Sequence, residues 1–486
     1  SMKLRFRRAQ PPAHRQKGQA LVLGMFILVI VAMLTFFQFS TGQVTTARMR
    51  LVNATDAAAY SAGLWRARVF NYYAYSNRAI IFNEVAIGQT ATMMSYAGFL
   101  VQVVNNLREY TGFIPVWRNI IQGIEEVAEG LKYVMHIISA VEVGVRSGYI
   151  QALTAGQTAM WATTSGFYLS QLSKEVMRQT DPSFFGFVPE TAEDLSRPYE
   201  GADRDRLRSM VNESLDPYSK DRSTHVRIHL PEKVYSFEWR GQTEMVRDHK
   251  ASFDRWQAFD TLSLHSKSRF SHKRRKWREM VPLGWSGVEI AKGPKDSMDA
   301  IRRRSGGRWQ DSFLQQNEVG RASEQKTRNT LAYNLINQSE FWSTGAYQGL
   351  SAVRDIDFDR LRNNGMNHRF PVDDVVVVGW IRKKNTINTA GQTGMGAGRL
   401  ALKDNFAEPG TVAGHLLKKE NHPAMQTVSM ARVYFRRPPG ADARLEYASM
   451  YSPYWQVRLA EVPVSVRTAV GLGGRSFKDL EGLTDD

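Results

Sequence analysis

The chain contains no cysteine, which excludes disulfides, thiolate metal sites and cysteine nucleophiles together. An exported protein can do without disulfides, so this absence does not choose a compartment. Acidic residues are scarce beside basic ones: 47 Asp and Glu against 64 Lys and Arg leave a formal net charge of +17. Such an excess suits an anionic neighbour, whether membrane surface, nucleic acid or acidic polymer, and is silent on fold. Proline is missing from the whole stretch Arg48 to Gln89, so nothing there interrupts a helix. His265 and His272 flank a basic segment that has neither a Ser-centred elbow nor HExxH, and no hydrolase template fits them.

Against these gaps, hydrophobic residues make up an ordinary 43% of 486 residues, enough for two or three folded domains. Ser1, ahead of Met2, reads as a cloning remnant. The stretch Ala20 to Phe37, ALVLGMFILVIVAMLTFF, lies inside a charge-free window from Gly18 to Ala47. At about 1.5 Å per residue it crosses most of a hydrocarbon layer about 30 Å thick. The expected anchor residues are Leu21, Val22, Leu23, Phe26, Ile27, Leu28, Val29, Ile30, Val31, Leu34, Phe36 and Phe37. Lys3, Arg5, Arg7, Arg8, Arg15 and Lys17 precede them, whereas Arg48 and Arg50 follow only after a polar collar. The positive-inside bias therefore predicts a single pass with the N-terminus cytoplasmic and the remainder across the membrane. A cleaved signal would have a shorter apolar core and a clearer small-x-small site than Thr45 and Ala47 provide. A buried core helix is the other alternative, and the basic flank argues against it.

Beyond the anchor, Leu51, Ala54 and Ala58 begin an apolar seam that continues as Val69, Tyr73, Ser76, Ile80, Asn83, Ile87, Thr90, Met94, Ala97, Val101 and Val104. Steps alternating between four and three place these side chains on one stripe of a helix. Gly112 and Pro115 mark a turn. Ile120, Ile124, Val127, Leu131, Val134, Ile138, Val141 and Val145 then keep the same rhythm without a miss, and the register continues through small residues, Gly148, Ala152, Ala155, Ala159, Ala162 and Gly166. Asp181-Pro182 is a helix stop. The pattern predicts a long antiparallel helical hairpin, Gln19 to about Leu107 and about Trp117 to Met177, with Leu51, Val69, Ile80 and Ile87 of one arm facing Ile124, Leu131, Ile138 and Val145 of the other. The windows Val85 to Leu107 and Ser147 to Ser173 are long enough to span a bilayer, but their Gln, Asn, Thr and Ser content favours burial in protein.

Segment 183–224, rich in Pro, Asp, Glu, Arg and Ser, reads as a linker with a short helix around Arg204 to Glu213. THVRIHL, KVYSFEWR, DTLSLHSKSRF, DDVVVVGWIRKK, MARVYFRR and YWQVRLAEV have the alternation and β-branched or aromatic content of strands. The stretches DSMDAIRRR and Gln310 to Phe341 read as helical or irregular, and GQTGMGAGRL as a loop. The expected fold class is α+β: a basic tail (1–17), a transmembrane helix (18–40), the helical hairpin (41–182), the linker (183–224) and a domain with a mostly antiparallel sheet (225–486).

No constellation names a catalytic residue, and the chain reads as no enzyme, without cofactor or metal. His225 and His229 are four apart, yet Val226, Ile228 and Leu230 between them indicate a strand with no third ligand nearby. Asp355, Asp357 and Asp359 lack the glycine and terminal glutamate of an EF-hand loop. Gly391, Gly394, Gly396 and Gly398 lack the flanking strand, helix and Lys-Ser/Thr of a phosphate loop. Lys273, Arg274, Arg275 and Lys276, with Arg302, Arg303 and Arg304, sit near tryptophans in a mixture that can hold a phosphate backbone. They support the alternative of a membrane-tethered module that binds nucleic acid or another polyanion.

KGQALVLGMFILVIVAMLTFFQ followed by TTARMRLVNATDAAAYSAGLWRARVFNYYAYSNRA, with Arg50, Asn53, Ala54, Asp56, Ala57, Ala58 and Ala59, resembles the TadG-like family of Flp (tight adherence, Tad) pilus-assembly proteins. FDTLSLH, VPLGWSGVEIA, ARVYFRRP and YSPYWQVRLAEV are similar to segments of larger Tad-domain proteins. The resemblance implies a bacterial inner-membrane protein with a large periplasmic part that helps build or anchor a type IVb pilus. Its implied partners are lipid, other Tad pilus-assembly proteins and further copies of itself. Processed pilins carry Glu at the fifth position after the peptidase cut, where a cut after Gly18 would leave Leu23. A membrane-retained component is therefore expected rather than a filament subunit.

Overall fold

The computed structural model describes residues 19–111, 115–189, 196–198, 202–247, 254–270, 278–292, 340–357, 371–381, 426–438 and 446–473. A single helix, α1 (Gln19–Thr111), occupies 93 residues, about 140 Å of axis at ~1.5 Å per residue. It is followed by α2 (Pro115–Ala162) and α3 (Gly166–Thr180). Then come β1 (Phe184–Phe187), β2 (Ser196–Pro198), α4 (Ala202–Ser214) and α5 (Pro217–Lys220). A run of strands follows: β3 (Thr224–His229), β4 (Lys233–Arg247), β5 (Asp254–Ser268), β6 (Arg278–Ile290), β7 (Glu340–Thr344), β8 (Arg354–Ile356), β9 (Val372–Ile381), β10 (Gln426–Phe435) and β11 (Trp455–Ala460). Helix α6 (Val464–Gly473) closes the described chain.

The strands form a four-stranded sheet, β1-β9-β10-β11, a five-stranded sheet, β3-β4-β5-β6-β7, and the pair β2-β8. Pairing is antiparallel except between β6 and β7. Helix α1 lies against both larger sheets in turn. Leu51, Ala54, Ala58, Ala59 and Ala62 pack on Val375, Val377 and Ala431 of the four-stranded sheet, with Leu169 and Met177 of α3. Val69, Phe70 and Tyr73 meet Val433, Phe435 and Trp455 at the far edge of that sheet. Ile80, Ile87, Ala91 and Met94 reach the five-stranded sheet at Met245, Trp256, Ala258, Val288 and Ile290.

Two glycines let the helix come this close. A methyl on Gly63 would lie 2.8 Å from Ala431 and Val457, and one on Gly88 would lie 2.7 Å from the Trp256 ring. Asparagines on helices complete the sheets at their ends. Asn71 donates to the Trp455 carbonyl and accepts from its N–H, each at 3.0 Å, and Asn212 of α4 does the same for Met245 at 2.9 and 2.7 Å. The fully buried Arg222–Asp260 ion pair, 2.9 Å long, is also bonded by Ser95 of α1 at 2.6 Å.

Two expectations are corrected. The described parts of 183–224 belong to the fold rather than to a linker: β1 pairs with β9, and Leu207, Val211 and Leu215 of α4 and its C-terminal turn enter the main core. The second helical arm is not continuous to Met177, because Thr163 and Thr164 turn their hydroxyls onto the Met160 and Trp161 carbonyls. Ser165, in extended conformation, caps the new helix by accepting from the Tyr168 N–H, so local side-chain bonds outcompete helix propagation. DSMDAIRRR, most of Gln310 to Phe341 and GQTGMGAGRL lie outside the described residues.

Replacing Gly88 with valine is expected to destabilise the folded protein by about 1–3 kcal/mol through overpacking against Trp256. Thermal unfolding of the purified variant followed by tryptophan fluorescence measures it.

Candidate functional site

Among the described residues, the apolar segment of α1 stays largely exposed. Leu21, Val22, Leu23, Phe26, Ile27, Leu28, Val29, Ile30, Val31, Leu34 and Phe37 are all more than half exposed, and Phe36 is intermediate. Burial begins at Ala47 and Leu51. One face then stays dry along the helix to Val101. The sequence motif at this junction has a packing role. Ala54, Ala58 and Ala59 are the small residues on which the four-stranded sheet sits. Asp56 accepts a hydrogen bond from Ser429, and Arg66 bridges Asp373 of β9 at 3.1 Å and the Thr164 carbonyl at 3.3 Å.

Helices α1 and α2 run antiparallel, tied by bonds whose residue numbers fall along one helix as they rise along the other. Arg108 donates to Glu125 at 2.6 Å, Thr90 to Glu142 at 3.0 Å, and Arg146 to Asn83 at 3.1 Å. Gln157 donates to Ser76 at 2.6 Å and Asn77 at 2.5 Å, and Trp65 to Thr163 at 3.0 Å. The polar interruptions of the α1 stripe, Ser76, Asn83 and Thr90, are therefore the groups that hold α2.

Leu51, Val69, Ile80 and Ile87 are fully buried, but the first two pack mainly on sheet, whereas the latter two share a core with Val143 and Ile150 of α2. The expected facing residues Ile124, Leu131, Ile138 and Val145 are exposed, at 52, 47, 52 and 67%. Helix α2 instead turns Ile121, Ser139, Val143, Ser147, Ile150 and Gln157 inward. The physical reason is that the face opposite the apolar stripe supplies both small core-filling side chains and the donors that α1 needs. The small-residue continuation at Gly148, Ala152, Ala155, Ala159 and Ala162 is exposed too.

One buried acid was not singled out from the sequence. Glu84, fully buried, accepts from the Tyr347 hydroxyl at 2.8 Å and from the Trp256 ring N–H at 3.4 Å. Its other oxygen has no hydrogen-bond partner among the described residues. Burial pushes the Glu84 carboxyl up to about 8, with the nearby Asp254 acting the same way and the two hydrogen bonds opposing. Burial, then the neighbouring Glu84, likewise push the Tyr347 hydroxyl well up. The available signal was that Glu84 is the single charge between Arg78 and Arg108.

The remaining candidates separate. His225 and His229 are exposed on β3, whereas His265 is buried 4.0 Å from Glu238. Asp355 is buried with Arg206 at 3.8 Å, Asp357 is half-buried, and Asp359 lies outside the described residues. Among the described residues no group of His, Asp and Glu could hold a metal ion. Lys273, Arg274, Arg275, Lys276, Arg302, Arg303 and Arg304 lie outside the described residues, as do Gly391, Gly394, Gly396 and Gly398.

Fold and site together define an α+β protein with antiparallel sheets, whose N-terminal helix is long and apolar enough to cross a membrane and also forms the spine of the core. Residues 18–67 match the Tad family model, Putative Flp pilus-assembly TadE/G-like. No curated protein and no solved structure matches the chain.

Because the folded state holds a proton on Glu84 that the unfolded chain releases above the ordinary value of 4.5, stability is expected to fall as pH rises from there to about 8, by up to ~1.4 kcal/mol per pH unit. Glu84→Gln should flatten that dependence and melt higher than the parent above pH 8 while matching it near pH 4.5. Denaturant melts across the pH series read both.

Proposed function

We propose that this chain is an inner-membrane-anchored structural component of Tad (type IVb, Flp) pilus assembly that acts by protein–protein association. The observation that carries this reading is the position of the family match. Residues 18–67 cover the apolar run together with the alanine-rich face that seats the four-stranded sheet, so the matched unit is an apolar helical run already joined to a folded body, which supports an anchoring role. The alternation of basic tail, apolar run and polar collar supports an N-terminus in the cytoplasm and a body in the periplasm. Leu23, where a filament subunit would need Glu, supports retention in the membrane.

In this role the anchor residues from Leu21 to Phe37 hold the chain in lipid. Leu51, Val69, Ile80 and Ile87 fasten the body to the anchor helix, and other surfaces of the body meet other assembly components. A scaffold of this kind needs no reacting group, which agrees with a family that is structural rather than catalytic.

The test is genetic and biochemical. A strain lacking the chain should make no Flp pili. Ile27→Lys with Val31→Lys, each costing about 2.5–3.5 kcal/mol at the centre of a membrane helix, should move the protein out of the membrane fraction and fail to restore them. Normal piliation of the null strain would sink the proposal.

A further inference from the structure

We propose that the exposed seam of α2 from Ile120 to Val145 is a self-association surface, on which parallel copies of this chain form a coiled coil. The parallel orientation rests on the membrane-anchored reading above, since copies rooted in one bilayer point the same way.

The seam is unbroken in its four-three rhythm, and every one of its side chains is between 47 and 73% exposed. A seam of this period fits most closely against a helix that carries the same repeat, because each knob then enters a four-residue hole in register. The chain's other long stripe of that rhythm, on α1, is already occupied by its own sheets and α2. A second copy of α2 supplies the matching repeat.

Charge favours identical copies. The positions flanking the seam on one side are Gly123, Gly130, Ile137 and Gly144, and on the other Ile121, Ala128, Met135 and Glu142. Glu142 is engaged by Arg146 at 2.8 Å and Thr90 at 3.0 Å. Glu125, Glu126, Glu129 and Lys132 stand off the seam, and Glu125 is held by Arg108. Like charges therefore do not meet across the contact, where they would repel identical chains. A methyl placed on any of the three flanking glycines would have nothing within 4 Å. Glycine is a poor helix former, and its place beside the seam admits a neighbouring backbone at short range.

Geometry excludes the chain's own bilayer as the occupant. The seam lies alongside α1 from about Asn83 to Arg108. At ~1.5 Å per residue that is about 70–105 Å of helix beyond the apolar run. β-Branched residues at nearly every seam position further favour three or four strands over two.

The absence of native cysteine makes the test direct. Full-length protein carrying Val127→Cys or Val134→Cys, kept in native membranes and treated with a short bismaleimide, should give covalent multimers of the chain. Their yield should be about tenfold that of the off-seam control Glu126→Cys, as side-chain contact at a coiled-coil core requires. Adding Leu131→Asp and Ile138→Asp should abolish the cross-link without lowering the melting temperature of the protein, since both side chains are exposed within one chain. Absence of multimers at both seam positions, equal yield at the control, or a product containing a different protein would overturn the proposal. Piliation of the null strain is scored separately: normal pili there remove the pilus role, while the cross-links alone decide self-association.

Discussion

Exclusion of water from one face of α1 is the constraint on which the rest of the molecule is arranged. From Leu51 to Val101 the face is closed first by the β9–β10 surface, then by the β10–β11 edge, and then by the β4–β5–β6 surface. Both sheets consequently share a single helix as their apolar floor. The close approaches at Gly63 and Gly88 show how tightly that floor is fitted, and the side chains of Asn71, Arg66 and Ser95 carry α1 into the hydrogen bonding of the strands themselves. A helix that begins with an all-round apolar run thus continues as the most connected element of the folded part, with no separate stalk between the two.

The polar groups on that helix divide the labour with the apolar ones. Ser76, Asn77, Asn83 and Thr90 engage α2, whereas Glu84 points into the five-stranded sheet against Tyr347 and Trp256. Keeping a carboxyl there costs desolvation, and protonation relieves it. Because its Oε2 accepts two hydrogen bonds from separate strands of chain, the acid also fixes the segment around Tyr347 to the helix.

Much of this was readable from residue patterns, and the misses have physical causes. The apolar run and the α1 stripe stood out because an uninterrupted period of 3.5 leaves few alternatives. THVRIHL, KVYSFEWR, the valine run Val375–Val378 and ARVYF became β3, β4, β9 and β10 because alternation and β-branching coincide there. Strand β6 was hidden by Pro282, Gly284 and Gly287, and its pairing with β5 shifts register twice near Leu262 and Leu264, as an irregular strand does. Segment 183–224 looked like a linker because β1 is only four residues long and gains its stability from β9, far away in sequence. For α2, periodicity identified a stripe correctly but could not say what it faces. The inward side is written in serines, glutamine and scattered aliphatics, which read as solvent-facing until Arg146 and Gln157 are seen donating to α1. The alanines and Asp56 of the family-matched segment were likewise visible as a motif, whereas their contact with Ala431 and Ser429 is a matter of tertiary structure.

Continuity of α1 also has a mechanical meaning. From Gln19 to Thr111 the helix has no proline and no break, so a load applied to its apolar end is carried by one hydrogen-bonded rod with no hinge to absorb it. Traction on that end reaches the floor of both sheets directly, and tilting of the rod swings the far tip near Arg108 through an arc set by the rod's whole length.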